Sequence, residues 1–217
     1  MSQVEKHNRK LILIRHGEAE HMVGKTPLTG GWSDTALTTH GRAQARQTGL
    51  ALAREKWPEP FRFWTSDLLR ARQTAGLIGE ALGRRAEPIH ALREFNNGIA
   101  AGMTREAAKP LEMPVEGPVG EWHPYEGSEN WLQFMDRVDA FYDSHLLEGS
   151  HLVVCHSGTA FNLMFRFLGL DRTYVGQVFS ELDPCGITRL SISPFGERTI
   201  QCLNERSHLA NLVESRQ

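Results

Sequence analysis

Arg15-His16-Gly17-Glu18 places a guanidinium fork beside an imidazole on a tight glycine turn, immediately after the apolar run Leu11 to Ile14. An arginine fork matches the oxygens of a phosphate, and an imidazole can attack phosphorus or hold a proton near neutral pH. The pair alone is weak evidence, because such dipeptides often serve structure at a strand end. Three further positions strengthen it: Arg70, one turn into a helix that follows the Phe61 to Thr65 run, His156 at the end of the His151 to Cys155 run, and Glu94 in a glycine-bearing loop. Two arginines and two histidines gathered at one point repel one another unless an anion neutralises them. A phosphate dianion does so with short charge-assisted bonds. A carboxyl group beside that dianion holds its proton more tightly, so Glu94 could protonate a leaving oxygen.

These residues need a scaffold that brings them to one place. Lys10 to Arg15, Phe61 to Thr65, Pro88 to Leu92 and His151 to Cys155 have the apolar content of buried strands. Helical patterns run from Thr38, as N-cap, to about Glu55, where Trp57-Pro58 follows, from Asp67 to Leu82, and from near Ser128 through the Trp131, Phe134, Met135, Val138, Phe141, Tyr142 and Leu146 stripe. Ile187 to Ile192 and Thr199 to Leu203 read as two more strands around a Pro194-Phe195-Gly196 turn. Strands alternating with helices predict an α/β fold, a three-layer α/β/α arrangement with a mostly parallel sheet. Ligands bind such sheets beyond the carboxyl ends of the strands, where Arg15, His16, Ser66-Asp67 and His156 all fall. The chain of 217 residues suits a single domain, 1–217, with a lid-like insertion at about 95–127, where Pro110, Pro114, Pro118 and Pro124 oppose regular structure.

Composition narrows the function classes. Hydrophobic residues at 40% and charged residues at 23% supply a packed core and exclude a disordered chain. A formal charge of −2 provides no global basic field, so neither nucleic acid nor an anionic membrane is an expected partner. The polar start and the brevity of the first apolar run predict no signal peptide and a cytoplasmic protein. Cys155, Cys185 and Cys202 are odd in number and widely spaced, which predicts reduced thiols, and no paired Cys/His spacing predicts a metal. His7, His21, His40, His90, His123, His145, His151 and His208 read as surface or packing residues. Trp122, His123 and Tyr125 could form a rim over the site, with Arg105 and Lys109 near a second anionic group.

Beyond the charged residues, longer blocks carry a family resemblance. Arg15-His16-Gly17-Glu18, then Trp32-Ser33-Asp34 with Leu37-Thr38 and Gly41-Arg42-Ala43-Gln44-Ala45, then Ser66, Leu68, Arg70-Ala71 and Gln73-Thr74-Ala75, resemble the histidine phosphatase superfamily, also called phosphoglycerate mutase-like. Glu94 with Gly98, Gly102 and Thr104, and the strand ending at His156, resemble its later blocks, so the likeness runs from about Leu11 to His208. It implies a phosphoglycerate mutase-like fold in which His16 is the phosphorylated nucleophile, Arg15, Arg70 and His156 hold the phosphate, and Glu94 is the proton donor, with no metal or cofactor. The implied substrate is a small phosphorylated metabolite. The modest stretch between Glu94 and Ser128 and the small residues after His156 resemble the phosphatase branches more than the glycolytic mutases. A cofactor-dependent phosphoglycerate mutase is the alternative. A non-catalytic phospholigand-binding module would lack His16 or Glu94, and both are present. The chain departs from the family pattern at Met22, where Asn is common, at Ala100-Ala101-Gly102 in place of Trp-Glu-Gly, and at Gly127-Ser128-Glu129 in place of Gly-Glu-Ser.

Overall fold

A computed structural model describes residues 9–24, 27–57, 59–174, 177–193 and 195–213. His7, Pro58 and Pro194 lie outside the described residues. Among the described residues six strands form one sheet in the order β3-β2-β4-β1-β5-β6. They are β1 (Lys10–Arg15), β2 (Phe61–Ser66), β3 (Glu87–Ile89), β4 (Ser150–Cys155), β5 (Ile187–Ile192) and β6 (Arg198–Glu205). The β1·β4, β2·β4 and β2·β3 ladders are parallel, whereas β5 pairs antiparallel with both β1 and β6. The expectation of a mostly parallel sheet therefore holds for the four strands that carry the site. In the β1·β4 register Arg15 faces Cys155, so His16 and His156 leave the sheet side by side.

Alternation along the central strands divides the core between two faces. Leu11 and Leu13 join Trp64, Val153 and Cys155 against α4 (Trp131–His145) and α5 (Ser157–Leu168). Ile12, Ile14, Phe61, Phe63, Leu152 and Val154 meet Leu52 of α1 (Thr39–Leu52) and Ala71, Ala75 and Ile78 of α2 (Leu69–Leu82). Both faces of the sheet are thus covered, as a parallel sheet requires. Each fully buried leucine or isoleucine here contributes roughly 1.5–3 kcal/mol of transfer free energy.

Three local outcomes differ from the sequence expectation. The third strand stops at Ile89, and His90–Leu92 form a 3-10 turn that carries the chain toward Glu94. Helix α4 is capped by Asn130 rather than starting near Ser128, with Asn130 and Gln133 exchanging side-chain to backbone bonds in a capping box. Helix α5 has no counterpart among the helices expected from the sequence. Ser157, Gly158 and Thr159 are poor helix formers, and the helix is held instead by burial of Ala160, Phe161, Leu163, Met164, Phe165 and Phe167. Between Arg105 and Gly127 regular structure is limited to α3 (Arg105–Ala108) and two 3-10 turns, Lys109–Leu111 and Val119–Glu121, as the prolines foretold. The last element among the described residues is α6 (Ala210–Val213).

Candidate active site

The turn after β1 is built from glycine contacts and borrowed side chains. A Cβ on Gly17 would lie 2.6 Å from the Gly41 carbonyl oxygen, and one on Gly41 would lie 2.0 Å from that of Glu18, so α1 abuts the turn with no room for a side chain. Thr74 Oγ1 accepts from Gly17 N at 3.0 Å and Gln44 Oε1 from Glu18 N at 2.9 Å. Gln73 Oε1 accepts from Leu37 N, and Thr38 caps α1. The Gln44 and Gln73-Thr74 positions of the sequence blocks are therefore braces for the loop that presents His16.

His16 is buried, 3% exposed, and its ring is fixed at both nitrogens. Nδ1 lies 2.8 Å from the Gly17 carbonyl oxygen, which only a protonated Nδ1 can donate to. Arg70 Nε donates to Nε2 at 3.1 Å, so Nε2 carries the lone pair. Burial first, then the charges of Arg70 and Arg15, hold the His16 imidazole well below its ordinary pKa and keep it neutral. Arg70 is 1% exposed. Its remaining nitrogens donate to the carbonyls of Ser33 at 2.5 Å and Gly31 at 2.8 Å. Burial lowers its pKa to about 10, which leaves it cationic at neutral pH.

His156 stands 5.1 Å from His16, centroid to centroid, in edge-on contact. Its Nε2 is 2.8 Å from Ser66 Oγ at the end of β2, while its buried Nδ1 has no hydrogen-bond partner. Burial and the charge of Arg70 also hold this imidazole well below its ordinary pKa. Arg15 donates to the Leu182 carbonyl at 2.5 Å and lies 3.8 Å from the Met22 sulfur, at the position where the family pattern has Asn. Its Nε is buried with no partner. Glu94 arrives from the loop after β3. Its carboxylate accepts from Gly158 N at 3.0 Å, at the start of α5, and from Phe95 N at 3.0 Å.

Arg15, His16, Arg70, Glu94 and His156 share one cavity of about 570 Å³, joined by His21, Asn97 and Arg105. Three guanidiniums against one carboxylate make this an anion cavity. A second cavity of about 600 Å³ flanks α2 and β3 and contains none of these groups, so volume alone does not mark the site. Arg105 lines the anion cavity, whereas Lys109 is not among its lining residues. Trp122, His123 and Tyr125 do not line it either. His123 lies 2.8 Å from the Ser128 carbonyl and 3.2 Å from Asn130 Nδ2, and Trp122 Nε1 donates to the Met113 carbonyl, so this stretch is tied to itself and to the start of α4.

His21, which the sequence reads as a surface or packing residue, is buried and also lines this cavity. It is 7% exposed, with its ring centroid 6.0 Å from that of His16 and its Nδ1 2.8 Å from Thr35 Oγ1. Burial, Arg70 and Arg15 lower its pKa to about 4. Gly30 makes room for it, since a Cβ there would lie 2.9 Å from His21 Nε2. The one signal in sequence was its place five residues after His16, in the same loop. Cys155 and Cys185 are buried, Cys202 is partly so, and all three are free thiols. Burial raises the Cys155 thiol far above its usual range and pushes Cys185 up to about 12.

Parallel strands β1 to β4 with a positively charged cavity beyond their ends, centred on a neutral imidazole, define an α/β protein with an anion site. The chain belongs to the histidine phosphatase superfamily (branch 1), whose model matches residues 11–206. It is 36% identical over 104 residues to a 2,3-bisphosphoglycerate-dependent phosphoglycerate mutase of Methylobacterium radiotolerans, covering 46% of this chain and 48% of that one. It is 33% identical over 132 residues to a glucosyl-3-phosphoglycerate phosphatase of Mycolicibacterium vanbaalenii, covering 59% and 56%. The chain thus spans about half the length of these curated relatives. The solved structure of a mycobacterial glucosyl-3-phosphoglycerate phosphatase superposes with a TM-score of 0.73 at 23% identity, covering 92% of this chain and all of that one, which establishes the phosphoglycerate mutase-like fold.

Proposed function

We propose that this protein is a phosphomonoester hydrolase that works through a phosphohistidine on His16. The observation that carries the reading is the His16 imidazole itself. Its Nδ1 proton is committed to the Gly17 carbonyl, and its Nε2 keeps the lone pair, accepting from Arg70 Nε, with His156 in edge contact and Glu94 on the same anion cavity. In the first step Nε2 attacks phosphorus while the ester P–O bond breaks, and the departing oxygen takes a proton from Glu94. Arg15, Arg70 and His156 offset charge on the phosphoryl oxygens. The Nδ1 proton, retained by Gly17, leaves the phosphorylated ring cationic and therefore a better leaving group. Water then attacks phosphorus, the P–N bond breaks, and Glu94 recovers a proton from the water. The products are an alcohol and inorganic phosphate.

The substrate in this reading is a small phosphorylated metabolite, bound without nucleic acid or membrane. Residues 1–217 act as one domain, with 95–127 as a lid-like rim that contributes Asn97 and Arg105 to the cavity wall. Three unpaired thiols accord with a cytoplasmic setting. No helix among the described residues is long and apolar enough to cross a membrane.

The test is incubation with a labelled phosphomonoester and an alkaline quench. Acid-labile label is expected on the wild-type chain and none on His16→Ala, which also loses turnover. Acid-stable label, or label surviving in His16→Ala, refutes the assignment of the nucleophile. Relatives that are phosphoglycerate mutases give a second reading a specific basis, so 3-phosphoglycerate with bisphosphoglycerate is assayed in parallel. Isomerisation faster than phosphate release would make the mutase reading the correct one.

A further inference from the structure

Glu94 has no regular element beneath it. From His90 to Thr104 the chain forms only two 3-10 turns, so something else must fix the carboxyl against the cavity. Arg137, in the middle of α4, holds this loop directly through Nη1 and Nη2 and, by way of Glu129, through Nε. Nη1 donates to the carbonyls of Ala91 at 2.9 Å and Arg93 at 3.0 Å, and Nη2 to that of Glu94 at 3.1 Å. Nε and Nη2 also grip Glu129 at 2.7 and 2.8 Å, a bidentate and largely enclosed ion pair. Glu129 extends the grip past Glu94. Its Oε2 accepts from Asn96 N, and its own N–H donates to the Asn96 carbonyl, both at 3.0 Å. Trp32 Nε1 gives the Glu94 carbonyl a second donor at 2.7 Å, and Thr159 Oγ1 gives one to Arg93 at 2.8 Å. The guanidinium itself lies over the rings of Trp32 and Phe134.

The Arg137, Glu129, Trp32 and Thr159 contacts to this loop go to backbone groups, so they set where the loop stands and leave the Glu94 carboxylate itself to the N–H groups of Gly158 and Phe95. A surface ion pair made for stability alone would not spend its fork on three carbonyls of one short loop. We propose that Arg137, backed by Glu129, is the positioning residue for the Glu94 proton donor, setting how closely that carboxyl approaches the leaving oxygen and hence which leaving groups the enzyme handles. This rests on the proton-donor role proposed for Glu94. Lysine at 137 would keep the charge beside Glu129 but could not reach three carbonyls at once.

Alkyl esters need protonation and nitrophenyl esters scarcely do, so leaving-group dependence reads the acid alone. For the full chain, kcat/KM is measured on β-glycerophosphate and p-nitrophenyl phosphate, in wild type, Arg137→Lys, Glu94→Gln and the double variant. Arg137→Lys is expected to lower the alkyl-to-aryl ratio about tenfold, a fraction of the ~10²–10⁴ that general acid catalysis supplies, and to lower it no further in Glu94→Gln. Equal slowing on both esters, or an additive effect in the double variant, would mark Arg137 as a general structural support and overturn the inference. Should Arg137→Lys not fold, Trp32→Phe removes one donor to the Glu94 carbonyl, leaves the ion pair intact, and carries the same cycle. If Glu94→Gln leaves the ratio unchanged, the donor role falls and this inference with it. If Glu94→Gln changes the ratio while Arg137→Lys and Trp32→Phe do not, only this inference falls.

Discussion

Replacing Gly158 by alanine should separate activity from stability. Gly158 lies in the first turn of α5 and donates its N–H to Glu94 Oε2 at 3.0 Å. A Cβ built there would stand 2.5 Å from Glu94 Oε1 and 3.1 Å from Phe134 Cε1, against 3.4 Å for ordinary contact. The carboxylate must therefore retreat by about 0.9 Å, and it can, because it is the end of a flexible side chain. Alanine favours the helix by roughly 1 kcal/mol over glycine, which offsets the small adjustment of the Phe134 ring. The folded state should change by less than about 1 kcal/mol in urea unfolding. A misplacement near 1 Å at a reacting group costs on the order of 10²-fold, so kcat on an alkyl phosphate should drop by about that factor. Nitrophenyl phosphate should suffer less. A Gly158→Ala enzyme within about threefold of wild type on the alkyl ester would show that the position of Glu94 does not limit the first step.

Other perturbations test other parts of the site. Gly41→Ala should destabilise by about 2–3 kcal/mol, since its Cβ meets the rigid backbone oxygen of Glu18, and urea melts will show it. Activity should fall as well, because the His16 turn must move. Gly30→Ala should raise KM while leaving stability nearly unchanged, as its Cβ pushes the His21 ring into the cavity; an unchanged KM would remove His21 from the ligand's surroundings. His151 is buried, accepts from Trp64 Nε1 and donates to the Glu148 carbonyl, and burial lowers its pKa to about 4. The unfolded chain takes up that proton near its ordinary value of 6.5, so stability is complete above it and declines as pH falls toward 4. By about pH 5 the loss from this residue should reach about 2 kcal/mol, and His151→Gln should remove that part of the pH dependence of unfolding.

What the sequence discloses and what it withholds divide along physical lines. Strands β1 and β4 are legible because buried parallel strands are apolar on both faces, and α4 because its stripe repeats at helical spacing. Helix α5 is opaque because its first residues favour other conformations and tertiary burial overrides them. The start of α4 was open to reading, since Asn130 and Gln133 form a capping box at its usual spacing. Read from that cap, Glu129-Asn130 supplies the acid and the capping residue that Gly127-Ser128-Glu129 lacked in the family register. Arg15, His16 and His156 can be placed from strand ends and Arg70 from the first turn of the helix after β2, whereas Glu94 is a weaker reading strengthened by the resemblance, because nothing local to a loop announces its direction. His21 offers only its place in the loop after His16, and Arg137 offers no signal of its own. One depends on space left by Gly30, and the other on carbonyls far from it in the chain.

The pairing of β1 with β4 has a consequence for how the protein comes into being. His16 emerges early in synthesis, but its neighbour His156 is held beside it only through the ladder from Leu11 to Arg15 and His151 to Cys155. Strand β2 and helices α1 and α2 can organise before then, yet β2 also meets β1 only through β4. No early fragment can therefore close the anion cavity, and the last central strand to be made joins the two halves of the site. Such distant pairing slows folding, because the loop must close before the contacts repay it. Until that moment the newborn chain carries His16 without the neighbour that the folded ladder sets beside it.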